Sequence, residues 1–315
     1  MVVHQALAAS IPGYHCLTYE PGREWFPPSL LLARGAAAPL VHAPPDHAVW
    51  VTPKNSRLLV TVHNYYLDAS TKTFSSCVQR IHYRTDLRLF TKRALARADG
   101  VTAVSQFLAD LVRDDLGYSG KITVIPNGID LGRFHTPTER LQRSTVRILF
   151  AGNLSVRKGA RILEALPSLM DPSAELWIAS GLRHQHSSAQ IKHQNVRWLG
   201  RVPLVEMPEL YRSVDILLLP SFREGCSLTM VEAMASGLPV IAADAPCFRE
   251  FLMPEQGALL ARPGSAEEMA EQINRLVRDP ELRLRMGSFN RNEAVRRFDR
   301  SVMISAYRAA LDSIF

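Results

Sequence analysis

"SFREGCSLTMVEAMASGLPVIAAD" (Ser221–Asp244) is the stretch whose reading decides the fold. Leu228, Val231, Glu232 and Ala235 fall at offsets 0, 3, 4 and 7, the spacing of one helix face. Ser227 is a natural N-cap, and Gly237 followed by Pro239 stops the helix. "LPVIAAD" (238–244) then reads as a short buried strand. Glu232 therefore belongs to the inward stripe, where an ionised carboxylate is costly unless something satisfies it. Two solutions are open. The plainer is an internal ion pair with an arginine or lysine; the sharper is a ligand that presents hydroxyls. Glu224 precedes the same helix.

Outward from this stretch the pattern repeats. "VRILFAG" (146–152), "AELWIAS" (174–180) and "VDILLLPS" (214–221) read as strands, with the helix-like "GARILEALPSLM" after the first. In the first half, "GYHCLTYE" (13–20), "APLVHAP" (38–44), "RLLVTVHN" (57–64), "GVTAVS" (100–105) and "KITVIPNGID" (121–130) read as strands, and 75–98 as a long helical stretch. Strands alternating with helices predict βαβ units and parallel sheets. The polar "HTPTERLQRST" (135–145) is the linker candidate. The expected organisation is an α/β chain with an N-terminal domain at 1–140, a C-terminal domain at 141–297 and a last helix at 298–315, with a cleft between the domains.

The totals bound the function. At 315 residues the chain is long enough for two domains, each with its own core. No apolar run approaches the roughly 18 residues of a membrane span. The opening "MVVHQALAASIPG" has no basic segment followed by an apolar core, so no signal peptide is expected. Cys16, Cys77, Cys226 and Cys247 are scattered and form no CxxC pair, which fits a reducing cytoplasm and argues against a zinc site or disulfide framework. A net charge of +7 points to anionic partners: nucleic acid, phosphorylated small molecules or an acidic membrane surface.

Open parallel sheets bind ligands outside the carboxyl ends of their strands. Arg157 and Lys158 follow "VRILFAG" at a helix start, an anion site by charge and by helix dipole. Glu224, Gly225 and Ser227 follow "VDILLLPS", and His63 follows "RLLVTV". Taken singly, each has a plain reading: a solvated helix start, or a satisfied histidine at a strand end. Their concurrence on the ligand-binding edge outweighs those readings.

Three motifs in this order carry a resemblance. "EGCSLTMVE", an E-x7-E pattern, is preceded by "LLLPSFR" and followed by "AMASGLPVIAAD"; "VTAVSQFLADLV" leads to "ITVIPNGIDLGRF"; the third is "ILFAGNLSVRKGARIL". A lone E-x7-E would be a weak signal. Together, over 99–300, they resemble the family 4 (group 1) glycosyltransferases of GT-B fold, with two Rossmann-like domains whose parallel sheets face a cleft. The resemblance implies retaining transfer of a sugar from a nucleotide-sugar, with no metal and no cofactor besides that co-substrate. It implies that Lys158 and Arg157 contact the donor diphosphate, Glu224 the hydroxyls of the transferred sugar, and Glu232 the ribose hydroxyls. Gly152 and Asn153 would line the donor loop, and backbone amides of Gly225, Cys226, Ser227, Leu228 and Thr229 would hold sugar and phosphate. His63 would line the sugar site, and Arg201 and Val202 lie where the base is read. On this reading Glu232 points inward because a ribose diol donates to it. Charge left on the diphosphate needs neutralising; the sequence has no D-x-D, so cations and helix amides would supply it.

Two departures qualify the resemblance. Asn153 stands where the family has arginine. "MVVHQALAAS" reads as the end of a helix, so the N-terminal domain is expected to lack its first strand and glycine-rich loop. Other candidates have plainer readings. Arg80, Arg84, Arg88 and Lys92 recur every four residues, with Arg93 and Arg97 beside them; a solvated face is the plain reading, an anionic lipid or diphosphate-linked acceptor the functional one. Cys226 lacks an orienting base and reads as a small loop residue. His184 and His186 lack further ligands at metal spacing. Trp25 reads as packing, with sugar stacking the alternative. "FDRSVMISAYRAALDSIF" resembles the family's last helix, which returns to the N-terminal domain.

The expected function is transfer from a nucleotide-sugar donor to a glycan or lipid-linked acceptor in cell-envelope synthesis. The expected place is the cytoplasm, with peripheral contact at an anionic inner membrane face and no nucleic-acid partner. The rivals are a nucleotide-sugar epimerase, which converts donor without acceptor, and a non-catalytic donor-binding subunit.

Overall fold

The computed structural model describes residues 2–17, 23, 27–33, 38–68, 75–138, 144–180 and 191–315. These form two compact units, 1–127 with 301–315, and 128–300.

The first unit opens with helix α1 (Val2–Ser10), then β1 (Leu40–Ala43), α2 (Pro45–Val51) and β2 (Arg57–Val62). Helix α3 (Cys77–His82), a π-helical turn (Tyr83–Leu87) and α4 (Arg88–Arg97) lead to β3 (Gly100–Ala103), α5 (Gln106–Leu116) and the short β4 (Thr123–Val124). The sheet is parallel in the order β1-β2-β3-β4. In β2 every residue from Leu58 to Val62 is buried, the mark of a parallel strand covered on both faces. Ser105 caps α5 by accepting from the Leu108 amide, and Gly117 ends it in the left-handed conformation (φ 67°). Val3 and Leu7 of α1 pack with Leu59, Ile125, Met303, Tyr307 and Ile314.

The second unit holds β5 (Val146–Ala151), α6 (Ala160–Ala165), β6 (Ala174–Ala179), β7 (Val196–Gly200), α7 (Met207–Arg212), β8 (Ile216–Leu219), α8 (Leu228–Ala235) and β9 (Val240–Ala243). Helix α9 (Pro246–Arg249), β10 (Ala258–Ala261), α10 (Ala266–Arg278) and α11 (Pro280–Arg297) complete it. Its sheet runs β10-β9-β8-β5-β6-β7, every pair parallel. Ile148, Phe150, Leu176, Ile178, Ile216, Leu218 and Ile241 build one layer of its core. The buried Asn290 of α11 donates to the carbonyls of Leu238 (2.8 Å) and Gly257 (2.7 Å), so two loop carbonyls are satisfied inside. The final helix α12 (Arg300–Asp312) brings the chain back to the first unit.

The structure corrects several expectations. Residues 14–17 of the expected strand at 13–20 are irregular, and 18–20 lie outside the described residues. Gly13 turns the chain with φ 78°, and Tyr14 is engaged through its side chain, placing its hydroxyl 2.7 Å from His4 and 2.8 Å from His42. The helix expected at 75–98 is interrupted by the π turn at Tyr83–Leu87. Strands β7 and β10 were not expected. The units divide at Asn127/Gly128, ahead of the border expected at 140. The reason is local: Ile129 bridges Asp299, Asp130 pairs with Arg300 at 2.9 Å, and Arg291 donates to the Phe134 carbonyl at 2.9 Å. Within the expected linker, 139–143 lie outside the described residues.

Candidate functional site

From β5 the chain builds β6 and β7 on one side of the sheet; β8, β9 and β10 build the other. Strand order therefore reverses between β5 and β8, and the loops leaving their carboxyl ends flank a topological switch point, where open α/β sheets bind ligands.

Those two loops are tied together. After Gly152 and Asn153, Ser155 accepts from the Lys158 amide (3.3 Å) and closes a 3-10 turn over Val156–Lys158. Gly159 follows with φ 79°, and a Cβ there would stand 2.6 Å from Pro220, so only glycine lets the turn approach the end of β8. The Phe222 amide donates to the Arg157 carbonyl (2.9 Å), and the Arg157 guanidinium donates to the Arg223 carbonyl (2.6 Å).

This brings the charged residues into contact. Glu224 Oε1 lies 3.1 Å from Lys158 Nζ and 3.5 Å from the Arg157 guanidinium. The Glu224 carboxylate is 11% exposed and the lysine 21%. Two cations against one carboxylate leave a net positive locus where little water weakens it. The side-chain oxygen of Asn153 is buried there without a hydrogen-bond partner, although buried polar atoms are nearly always paired. A Cβ on Gly152 would touch the Lys158 side chain at 3.4 Å, so the glycine gives the lysine room along the loop.

Ser227 caps α8 by accepting from the Met230 amide (3.4 Å). Gly225 and Cys226 are buried in the turn ahead of it, while Ser227, Leu228 and Thr229 are partly open. The amides of this first turn lack intrahelical acceptors and carry the positive end of the helix dipole. Glu232 is held by the hydroxyl of the fully buried Tyr211 on α7, which donates to Oε2 at 2.9 Å. Burial pushes the Glu232 carboxyl up to about 7, while the Tyr211 hydrogen bond and the charge of Arg133 pull it down. The partner of this acid is thus a phenol, and the arginine or lysine ion pair of the plainer reading is not formed among the described residues.

The remaining expected residues lie on other elements. Arg201 and Val202 follow β7, the edge strand, and Arg201 is exposed. His63 belongs to the first unit, at the carboxyl end of β2. Its Nε2 is sealed from solvent without a hydrogen-bond partner, and burial, then the charge of His4, pulls its pKa down to about 3. It is therefore a neutral imidazole at physiological pH. Beside it runs a relay: His4 to Tyr14, Tyr14 to His42, His42 Nε2 to Thr61 (2.5 Å) and Thr61 to Thr102 (2.6 Å). Trp25, Arg183, His184 and His186 lie outside the described residues.

Sequence reasoning missed Tyr211, His4, Tyr14 and His42. Tyr211 and Glu232 sit on different helices, and nothing in their separation predicts the contact. Cys226 is buried, and burial pushes the thiol of the likewise buried Cys247 up to about 11, away from the character of a nucleophile.

Two family models match the chain: "Glycosyltransferase Family 4" over residues 15–133 and "Glycosyl transferases group 1" over 145–279. Among curated proteins, a phosphatidyl-myo-inositol mannosyltransferase of Mycobacterium leprae is 31% identical over 199 residues, covering 60% of this chain and 53% of that protein. A 2-deoxystreptamine glucosyltransferase of Streptomyces kanamyceticus is 28% identical over 206 residues, covering 59% and 53%. The chain spans about half the length of the curated relatives it matches. Among solved structures, a sucrose-phosphate synthase of Thermosynechococcus elongatus superposes with TM-score 0.81 at 22% identity, over 99% of this chain and 92% of that one. Anabaena HepE, solved with UDP-glucose, gives 0.78 at 20% identity, over 95% and 85%.

Proposed function

The chain belongs to the family 4, group 1 glycosyltransferases, with two Rossmann-like units, and we propose that it moves a sugar from a nucleotide-sugar to a hydroxyl acceptor. The observation that carries this reading is the cluster at the β5/β8 switch point: two cations closed on Glu224, with Glu232 turned inward on the adjoining helix. Lys158 and Arg157 would take the diphosphate, whose charges exceed what one carboxylate offers them. Glu224, freed from part of that pairing, would accept from hydroxyls of the sugar. Glu232 would accept from the ribose diol, which meets the cost of its burial. Gly152 and Asn153 would border the diphosphate, and the orphaned Asn153 oxygen supports a ligand there. Amides of Gly225, Cys226, Ser227, Leu228 and Thr229 would complete the cradle, with Arg201 and Val202 toward the base.

Breaking the anomeric bond leaves negative charge on the departing nucleoside diphosphate. The side-chain cations and the α8 dipole would stabilise it in place of a divalent ion, because they are preorganised at the point where charge develops. Retention at the anomeric carbon is part of the same proposal. The acceptor would be a glycan or lipid-linked hydroxyl in envelope synthesis, a reading supported by the mannosyltransferase relative, whose name carries a phosphatidylinositol. Exposed thiols at Cys16 and Cys77 suit a reducing compartment such as the cytoplasm. No described helix is long and apolar enough to cross a membrane.

The test is calorimetric titration with UDP-, GDP- and ADP-sugars, beginning with UDP-glucose, on the wild type and on Glu232→Ala. One donor should bind the wild type and be lost by the variant. Binding of none, or equal binding by both, would overturn the site. Nucleotide release that needs an acceptor separates transfer from epimerisation, and binding without release would leave a donor-binding subunit.

A further inference from the structure

The segment "GIDLGRF" (128–134) belongs to the second unit. One side chain fixes its backbone. Asp130 Oδ1 accepts from the amides of Gly132 (3.0 Å) and Arg133 (3.3 Å), the turn an aspartate makes with the residues after it. Phe134 is buried edge-on against the Tyr211 ring, with centroids 5.9 Å apart, and its carbonyl accepts from Arg291 at 2.9 Å. The Arg133 carbonyl accepts from Arg212 at 3.3 Å. The backbone on both sides of the Arg133 side chain is therefore held.

This guanidinium touches two parts of the candidate site. Its Nη2 donates to the Leu204 carbonyl at 3.2 Å, on the loop that leaves the carboxyl end of β7 with Arg201 and Val202. Its charge also reaches the inward Glu232 and helps lower that carboxyl's pKa. Arg133 is exposed and forms no ion pair among the described residues, and Glu209 on the adjoining helix is taken by Arg212 at 2.7 Å. A single bond to a carbonyl uses a small part of a group that carries several N–H donors and no acceptor.

We propose that Arg133 selects the base of the nucleotide: with Glu232 on the ribose and the loop after β7 beside the base, its guanidinium donates to a keto oxygen, so that uracil or guanine is taken and adenine is refused. The chemistry is one-sided, because a guanidinium only donates. Guanine offers it O6 and N7, and uracil a carbonyl oxygen. Adenine sets an amino group, itself a donor, beside its N7. Ribose and diphosphate are common to all these nucleotides and allow no such choice. The selection rests on the donor-site reading of Lys158, Glu224 and Glu232.

The test is calorimetric titration of the full chain with UDP, GDP and ADP, on the wild type, Arg133→Ala, Arg133→Lys and Glu232→Ala, each checked by thermal melting. The wild type should bind UDP or GDP at least about tenfold more tightly than ADP. Arg133→Ala should weaken that keto nucleotide by about tenfold to a hundredfold, the worth of a hydrogen bond from a charged group, and leave ADP nearly unchanged. Arg133→Lys keeps the charge without the planar fork and should recover part of the preference. Glu232→Ala should weaken all three alike, because each carries the same ribose. Equal loss of all three in Arg133→Ala would make the arginine a tether for the Leu204 loop and overturn the proposal. Unchanged binding, or a wild-type preference for ADP, would do the same. A wild type that binds none of the three would overturn the donor site itself, and the base selection with it.

Discussion

Replacing Lys158 by alanine tests the proposed chemistry most directly. Its ammonium sits 3.1 Å from Glu224 Oε1, and the lysine side chain is 21% exposed. A phosphate oxygen at similar range, with an effective dielectric constant near 20, would feel about 5 kcal/mol of gross attraction per unit charge. Much of that is offset by lost hydration and by Arg157, which stays 3.5 Å from Glu224 when the lysine is gone. Removal of one preorganised charge partner elsewhere costs about 2.7–4 kcal/mol of activation free energy, so turnover should fall roughly 10²–10³-fold. The stability loss should stay below that of breaking an isolated buried pair, because Arg157 remains beside Glu224 and keeps its charge compensated. The assay is the initial rate of nucleoside diphosphate release from saturating donor and acceptor, with a thermal melt alongside. A variant that melts within a few degrees of wild type and turns over at its rate would refute the assignment of Lys158 to the leaving group. A variant that loses only apparent donor affinity would show uniform binding instead of transition-state stabilisation.

Other outcomes follow from the same geometry. With the Glu232 carboxyl raised to about 7, donor hydroxyls should favour its ionised form, so affinity should rise from about pH 6 to pH 8 with proton release, read by calorimetry in buffers of different ionisation enthalpy. The protonated acid stabilises the fold below the unfolded value of 4.5, and that contribution should fade as pH climbs through 7; Glu232→Gln should abolish this part of the melting profile. Tyr211→Phe removes the hydrogen bond that holds the Glu232 pKa down, so the pH midpoint for donor binding should move up, at a stability cost of about 1–3 kcal/mol. Burial keeps His4 near 4, His63 near 3 and His42 well below 6.5; their stabilisation is complete above 6.5 and should be lost as pH falls toward those values, by about 1.4 kcal/mol per pH unit for each histidine, measured by urea unfolding against pH. Tyr14→Phe cuts the relay between His4 and His42 and should destabilise the chain by about 1–3 kcal/mol in the same assay.

What the sequence made legible is what local periodicity encodes. Leu228, Val231, Glu232 and Ala235 announced helix α8 with an acid turned inward, and Ser227 and Gly237 marked its ends. "VRILFA" and "ILLL" announced the central strands through unbroken apolar runs, as expected where helices cover both faces. Strand β7 was hidden because "VRWLG" is only partly buried at the sheet edge, and its Arg197 lies 4.6 Å from the Trp177 ring, a cation–π contact that sequence does not display. "ALLA" of β10 is too short to separate strand from helix by period. Of the strand expected at 13–20, residues 14–17 are irregular, and the Tyr14 hydroxyl lies between two imidazoles.

The site shows the same division. Sequence placed Lys158 and Glu224 on separate strand-to-helix loops, and the reversal of strand order brought those loops together. The inward acid is set first by burial, which raises its pKa, and then by a phenol on another helix and the charge of Arg133, which lower it, and its hydrogen-bond partner is the phenol. That choice has a consequence. A lysine or arginine partner would hold Glu232 ionised and occupied at all physiological pH values. A phenol gives one hydrogen bond, leaves the rest of the carboxylate's accepting capacity open, and lets burial raise the pKa to about 7. In the proposed complex a ribose diol would donate to the ionised carboxylate, so binding of the diol would be coupled to release of a proton from Glu232.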